Sequence, residues 1–370
     1  MRGSLHGSST TWHDETKTCV ALNSTHTPLL QTASLNQIDG GRWLLLLMSS
    51  MRAQWLFNLL SPAGASARLS VLIFHRVLPQ PDPLFPGEPD AARFRIQMEW
   101  LKSWFNVLPL PEAVERLRSG SLPARAAAIT FDDGYADNFT VALPILQQVG
   151  LPAAFFIATG YLNGGRMWND TVIEVIRNAS GPQLDLSKFE LGSYETHTVE
   201  DRRLSLAHLL NKLKYLAPVE RSALVTELGV HAGTPPAVDL MMTSDQVRAM
   251  AAAGMTIGAH TVGHPILARI SDSEARAEMK EGKGQLEAIT GSEVILFAYP
   301  NGKPGADYTA AHVCLAQEIG FSAACSTGWG AGKLGSDLFQ IPRFTPWDRP
   351  QWRYAARLAR NMRQPIIQVG

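Results

Sequence analysis

Short apolar segments alternate with segments of helical periodicity along most of this 370-residue chain, and this alternation constrains its fold most strongly. The apolar segments are rich in β-branched and aromatic residues. They are predicted as buried strands at 69–75, 107–110, 126–131, 153–158, 255–259, 294–299, 321–325 and 339–343. Strands and helices in this order form a parallel sheet with right-handed crossovers. We therefore expect an α/β fold.

Residues 168–240 interrupt this rhythm, because they are polar and mostly helical and contain no segment typical of a buried strand. We predict that they form a helical insertion over one rim of the fold. The main domain then spans residues 68–349, followed by a C-terminal helix and tail at 350–370. Residues 1–67 are predicted as an N-terminal extension that is largely disordered with a short apolar helix.

That short helix is predicted within residues 43–60, where two apolar groups flank Arg52. Neither group reaches the ~20 residues that a membrane-spanning helix needs. The segment would also make a weak signal peptide, even if translation began at Met48 or Met51. We favour a helix that packs on the domain, and contact with a membrane surface is the alternative. A cytoplasmic or membrane-associated location is therefore favoured over export, although the true start and export remain open.

The overall charge and the cysteines exclude several classes of protein. Lys plus Arg and Asp plus Glu each number 33, so no basic field indicates a nucleic-acid partner. The three cysteines are too far apart in sequence for a disulfide framework or a zinc ribbon. No obligate protein partner is implied.

Polar residues follow the predicted strands at the points where the strands end. They are His75, the pair Asp132-Asp133, His260 with His264, Asn301 and Arg343. Loops that follow parallel strands share one face of a βα fold, so these side chains should converge. Two adjacent carboxylates at the end of a buried strand are costly unless a cation or donors lie beside them. A metal is the simplest partner, and a solvated Asp-Asp-Gly turn that caps the next helix is the alternative.

His260 and His264 lie four residues apart, but Gly258, Gly263 and Pro265 make a long helix through them unfavourable. We predict a strand end and a tight turn that direct both imidazoles inward. Two histidines and one carboxylate leave coordination positions open for water and substrate, which is typical of a catalytic metal site. The alternative for either histidine alone is a buried hydrogen-bonding residue.

Three segments resemble the first three motifs of the polysaccharide deacetylase family (NodB-homology domain, carbohydrate esterase family 4). They are Thr130-Phe-Asp-Asp-Gly134, His260-Thr-Val-Gly-His264 and Ala298-Tyr-Pro-Asn-Gly302. The resemblance covers about residues 69–349. It implies a distorted (β/α) barrel, here of about seven strands, that removes acetyl groups from N-acetylated sugars with a divalent metal.

The resemblance also implies roles for individual residues. Asp133, His260 and His264 would hold the metal, and Asp132 would be the general base that accepts a proton from the metal-bound water. The backbone N–H of Asn301 would stabilise the oxyanion. Zinc fits these ligand types best, with cobalt, nickel or iron as alternatives.

Two positions depart from the family pattern. The arginine that usually opens the third motif is Ala298 here, and Arg343 is the candidate replacement, with a structural salt bridge as the alternative. No histidine follows His312, so the usual C-terminal general acid is absent. Some members resembling poly-N-acetylglucosamine deacetylases carry this histidine on the first strand, so we assign His75 as the acid, with a structural core histidine as the alternative.

Three aromatic residues are candidates for substrate contact. Tyr135 follows the acid pair, while Trp168 and Trp329 could stack on sugar rings; a packing role is the alternative for Trp168. The carbohydrate substrate would be a polysaccharide or a lipid-linked glycan. The alternatives are a small amide, such as a formamido sugar or a ureide, and a catalytically silent glycan-binding module. A groove open at both ends would favour a polymer, and a closed pocket a small amide.

Overall fold

The structure, a computed structural model, describes residues 51–233, 239–345 and 347–370. Eleven strands are present in this part of the chain: β1 Arg68–Phe74, β2 Asn106–Val107, β3 Ala126–Phe131, β4 Ala154–Ile157, β5 Gln183–Asp185, β6 Ser193–Glu195, β7 Thr256–Ala259, β8 Leu296–Ala298, β9 Ala323–Cys325, β10 Gly332–Lys333 and β11 Arg343–Phe344. Nine of them form one curled sheet, whose main path runs β10-β1-β3-β4-β7-β8-β9. Its pairings are parallel except for β10 on β1, which confirms the predicted α/β fold and distorted (β/α) barrel.

The segment 341–344 connects the two sides of the curled sheet. Ile341 bridges to Cys325 in β9, and β11 pairs in parallel with β1. The predicted strand at 339–343 is therefore misplaced, because residues Leu338–Gln340 form a 3₁₀ turn and the strand begins at Arg343. Pro342 has no N–H to donate to a ladder, which favours a break before β11. The short antiparallel strand β10 was not predicted.

Alternate residues of the strands belong to two different hydrophobic clusters. In β3, Ala126 and Ala128 pack inside the barrel, while Ala127, Ile129 and Phe131 pack against the surrounding helices. This alternation follows from the two-residue period of a strand. It determines which residues just beyond each strand face the interior.

Helices surround the barrel and close its lower end. Their bounds are α1 51–60, α2 Ala91–Trp104, α3 Leu110–Ser119, α4 Leu143–Val149, α5 Trp168–Arg177, α6 Val199–Lys214, α7 Pro218–His231, α8 Ser244–Ala252, α9 Asp272–Thr290, α10 Ala310–Glu318 and α11 Gln351–Asn361. Helix α3 packs its apolar face on the hydrophobic cluster inside the barrel, to which Ala126 and Ala128 belong.

Residues 168–240 form their own small core from α5, α6 and α7. The segment is mostly helical, as predicted, but the prediction omitted the hairpin β5–β6. Both strands of this hairpin are largely exposed, so they lack the apolar signature of a core strand.

Helix α1 packs on the barrel's outer layer through Phe57, which is fully buried. Its ring lies 6.0 Å from that of Trp104 and 4.6 Å from that of Phe105. The packing that we favoured for this segment is therefore present over residues 51–60. The predictions for residues 1–50 lie outside the described residues. None of the described helices has the length and hydrophobicity to cross a bilayer.

Candidate metal centre and active site

Asp132 and Asp133 directly follow β3, and the carboxylates of both approach His260 Nε2, at 3.8 and 3.5 Å. Asp132 continues the inward series of Ala126, Ala128 and Thr130, and it is buried at the top of the barrel interior. Asp133 has a φ of 76°, in the left-handed region, and Gly134 follows with a φ of 90°. A Cβ at Gly134 would lie 2.9 Å from Ile157 Cγ2, so this turn requires glycine both for its φ and for its space.

His260 is the first residue after β7 and takes the next inward position after Gly258. A Cβ at Gly258 would lie 2.5 Å from the ring of Phe156, so glycine here makes room for that ring inside the barrel. His260 Nδ1 lies 2.7 Å from the carbonyl oxygen of Ala298. Because a carbonyl only accepts, Nδ1 carries the proton, so in the neutral imidazole Nε2 holds the lone pair that can bind a metal.

A tight turn brings His264 back towards His260, as predicted. Thr261 and His264 both have positive φ, at 67° and 52°. The carboxylate of Glu278 in α9 accepts from the N–H groups of Val262 and Gly263, at 2.8 and 2.7 Å. Glu278 thus holds the loop between the two histidines, a role that the sequence did not reveal because Glu278 lies on a charged, mostly exposed helix.

Asp133, His260 and His264 converge in the arrangement that a metal ion requires. Asp133 Oδ1 lies 3.5 Å from His260 Nε2 and 3.4 Å from His264 Nε2, and the three ligand atoms lie within 4.8 Å of one another. Tetrahedral zinc ligands at ~2.0–2.1 Å from the ion would be roughly 3.4 Å apart. Asp133 Oδ1 is buried and has no hydrogen-bond partner. An orphaned carboxylate oxygen facing two imidazole lone pairs fits a divalent cation.

The electrostatics of Asp133 and His264 agree with that fit. Burial acts to lower the pKa of His260, but the Asp132 and Asp133 carboxylates outweigh it and raise that pKa, and a cation bound to Asp133 would offset this effect. Burial lowers the pKa of His264 to about 4, so this imidazole is neutral and can coordinate at pH 7. Burial alone would raise the pKa of Asp133, but the adjacent His260 and His264 outweigh it and lower that pKa. Asp133 is therefore ionised at neutral pH.

Arg343 lies inside the barrel and forms a bidentate ion pair with Asp132. Its Nη1 and Nη2 donate to Asp132 Oδ1 and Oδ2 at 2.6 and 2.7 Å, and its Nε donates to the Ser326 carbonyl. Burial acts to raise the pKa of Asp132, but the Arg343 guanidinium, followed by His260, outweighs it and lowers the pKa. Asp132 is thus a fixed carboxylate whose Oδ2 lies 3.8 Å from His260 Nε2.

A cavity of about 480 Å³ opens above these residues, within the usual size range of small-molecule sites. His75, Trp168 and Asn301 line it together with both acids and both histidines. His75 is exposed and also lines a second cavity of about 180 Å³, so it is not the core histidine of the alternative interpretation.

The other two aromatic candidates occupy different places. Tyr135 lies in the loop after β3, where it is buried and lines the smaller cavity, and its hydroxyl donates to Asp170 Oδ1 at 3.0 Å. Trp329 is 43% exposed and lines an adjacent cavity of about 530 Å³, away from the metal centre. That cavity shares Asn301 and Thr327 with the first one.

Three further charged residues at the cavities were not singled out as site residues by sequence reasoning. Arg221 and Lys214 of the insertion line the main cavity. Asp170 lines the smaller one, where burial raises its pKa to about 7. Their sequence neighbourhood is polar and helical, so only the fold of the insertion reveals that these side chains face the site.

Comparison with protein families identifies the chain. The family model described as polysaccharide deacetylase matches residues 119–204 and 211–324, more than half of the sequence. This protein belongs to the polysaccharide deacetylase family. Members are metal-dependent hydrolases that act on amide bonds, and their substrates are carbohydrates.

Individual relatives agree with this assignment. The chain is 33% identical over 116 residues to the poly-beta-1,6-N-acetyl-D-glucosamine N-deacetylase of Staphylococcus aureus, and these residues are 31% of this chain and 38% of that protein. The match thus spans less than half of the relative.

Two solved structures share the fold. IcaB from Ammonifex degensii has a TM-score of 0.53 at 19% identity and covers 81% of this chain and 98% of its own. Deacetylase PplD from Streptococcus pyogenes has a TM-score of 0.50 at 18% identity and covers 75% and 92%.

Proposed function

We propose that this deacetylase removes N-acetyl groups from an N-acetylated sugar in a polysaccharide or a lipid-linked glycan. The observation that carries the proposal is the pairing of Asp132 with Arg343 beside the Asp133, His260 and His264 cluster. A glycan-binding module would have no need for a buried, oriented base next to a metal site. The S. aureus relative is named for the same type of reaction.

We propose the following division of roles. Asp133, His260 and His264 hold a divalent cation, which when bound acidifies water and polarises the amide carbonyl. Asp132 accepts the proton from the attacking water. Arg343 positions this carboxylate, a role that belongs in the family to an arginine at the position occupied here by Ala298. The Asn301 N–H stabilises the oxyanion, and His75 protonates the leaving amine. Zinc is the proposed metal, because two imidazoles and one carboxylate at these separations suit it.

The shape of the site favours an extended substrate over a small amide. The main cavity shares His75, Asp133 and Asn169 with the cavity on one side. It shares Lys214, Asn301 and Thr327 with the cavity that leads to Trp329 on the other. The metal centre therefore lies in the middle of a groove that continues in both directions. Trp168 is proposed to contact the reacting sugar, and Trp329 a more distant one; Tyr135 contributes indirectly, by supporting Asp170 in the wall of the smaller cavity.

Acetate release from N-acetylglucosamine oligomers tests the proposal. We expect turnover to increase from the monosaccharide to the tetrasaccharide, because longer chains occupy more of the groove. His75→Gln should lower kcat by about 100-fold or more while the bound metal is retained, since only the proton donor is removed. Gln has a similar size and serves as a matched replacement. Faster release from a formamido monosaccharide than from any oligomer would instead support the small-amide function.

A membrane-surface contact is a separate proposal for the α1 region. The face of α1 that points away from the barrel carries Met51, Trp55 and Leu59, which are 68%, 65% and 62% exposed. We propose that this apolar row rests on a lipid surface, with Trp55 at the headgroup level. In a flotation assay with anionic vesicles, the wild type should float and Trp55→Ser/Leu59→Ser should remain in the dense fraction. Equal flotation of both would contradict the contact.

A further inference from the structure

Arg221 is a buried cation that no carboxylate neutralises in the described part of the chain. Only 7% of this residue is exposed. Its Nη1 donates to the carbonyl oxygen of Lys214 at 3.0 Å, and its guanidinium lies 4.7 Å from the centroid of the Trp168 ring. Neither contact supplies a negative charge. Burying a charge without a counter-charge is costly, so the arrangement calls for an anion from outside the protein.

Arg221 faces the same cavity as the metal centre. That cavity of about 480 Å³ is lined by Arg221, Lys214 and Trp168 on the side of the insertion, and by the metal ligands on the side of the barrel. A ligand whose amide reaches Asp133 and the two histidines therefore has a second group within the same space as Arg221. Helix α7 begins at Pro218 and α6 ends at Lys214, so the turn between them brings both cations to the cavity.

The positive charge continues along the groove from Lys214. An adjoining cavity of about 640 Å³ is lined by Lys214, Arg269 and Lys303. Asp307 is the one carboxylate among the residues that line it, and its Oδ2 accepts from the backbone N–H of Lys303. None of the three cations forms an ion pair with a described carboxylate. The whole chain has equal numbers of acidic and basic side chains, so this local excess is not a reflection of composition.

We infer that Arg221 and Lys214 form a subsite for an oxyanion, a carboxylate or a phosphate, carried by the glycan close to the acetamido group that is hydrolysed. Arginine presents paired N–H groups that match two oxygens of a carboxylate or phosphate, and lysine adds a point charge. The stacking on Trp168 fixes the plane of the guanidinium before the ligand arrives. The preferred substrate would then be an acidic glycan or a sugar phosphate, and a neutral N-acetylglucosamine oligomer would be bound more weakly by the same site. This inference rests on the proposed function for the acetamido sugar, but its test does not require turnover.

Binding by metal-free protein tests the subsite without any contribution from the metal. Three probes are compared by calorimetry: a glucuronosyl-N-acetylglucosamine disaccharide, N-acetylglucosamine 1-phosphate and neutral N,N′-diacetylchitobiose. We expect at least one anionic probe to bind about ten-fold or more tightly than the neutral probe, and the advantage should shrink as salt is raised. Preference for the uronate would assign the anion as a carboxylate, and preference for the sugar phosphate would assign it as a phosphate.

Variants separate charge recognition from packing. Arg221→Gln and Lys214→Gln should each remove most of the advantage of the anionic probe, and Arg221→Lys should keep part of it. Lys212→Gln is the matched control on the same helix, because Lys212 Nζ instead donates to the carbonyl of Glu190, and it should bind all probes as the wild type does. Equal affinity of the wild type for all three probes would overturn the inference. So would an equal loss for the neutral and anionic probes in both Arg221→Gln and Lys214→Gln. Absence of acetate release from every acetylated sugar would overturn the proposed function and leave this binding result standing.

Discussion

Replacing Asp132 by asparagine should lower kcat/KM by about 1,000-fold or more while leaving one metal ion bound per chain. Asparagine retains the size of the side chain but cannot accept a proton at neutral pH. A general base contributes ~10²–10⁴-fold to a rate, and the loss should be at the upper end because the uncharged amide would also lose the ion pair with Arg343. The ligands Asp133, His260 and His264 are untouched by the change. Steady-state acetate release and metal content of the same preparation measure the two effects.

The protein offers a matched control for the loss of a carboxylate that pairs with arginine. Asp348 forms an ion pair with Arg357 on the outer layer, away from the metal cavity. Asp348→Asn should cost stability at most, with kcat/KM within about two-fold of the wild type. If Asp132→Asn emptied the metal site, Asp132 would be a ligand and the division of roles between the two acids would be wrong.

Replacing His264 by alanine should remove metal and activity together. The substitution takes away one of three protein ligands, and even the loss of groups that only orient a ligand costs 10–100-fold in metal affinity. We therefore expect the metal Kd to increase by more than about 100-fold and acetate release to fall to background at micromolar metal. Raising the metal concentration should recover part of the activity, because Asp132, Arg343 and His75 remain in place. Competition with a chromophoric chelator gives the metal Kd directly.

His208 provides the histidine control for that experiment. It is exposed on α6 and contacts the ring of Tyr194, outside the cavities that surround the metal centre. His208→Ala should leave both metal affinity and activity unchanged. Full activity of His264→Ala without added metal would show that His264 is not a ligand.

Much of the fold was predictable because it follows from local patterns. Strand β3 is an uninterrupted apolar run, and a run of that kind specifies burial on both faces without any knowledge of its neighbours. The strand at 339–343 was misplaced because the alternation of Phe339, Gln340 and Ile341 is typical of a strand, whereas these residues belong to a 3₁₀ turn and the segment that follows it. The C-terminal tail contacts this turn through the mutual hydrogen bonds of Gln340 with Val369, at 2.9 and 2.7 Å. That contact joins residues 29 positions apart and leaves no trace in local periodicity.

The candidate site likewise contains residues that local sequence patterns predict and residues that they do not predict. The metal ligands were found because Asp133, His260 and His264 all follow strands, and the ends of parallel strands share one edge. Arg343 was a candidate for the same reason, but its bidentate contact with Asp132 depends on the closure of the sheet by β11. Arg221 and Lys214 could not be found, since they reach the cavity only through the packing of the insertion. Strand ends are predictable from sequence, whereas the tertiary placement of a helical insertion is not.

Anomalous diffraction at the zinc edge from crystals grown with zinc tests the central proposal most directly. It predicts one strong peak per chain within about 2.3 Å of Asp133, His260 Nε2 and His264 Nε2, with Asp132 in contact with Arg343 and not with the ion. A peak bound elsewhere, or one ligated by Asp132 in place of Asp133, would contradict the proposed chemistry.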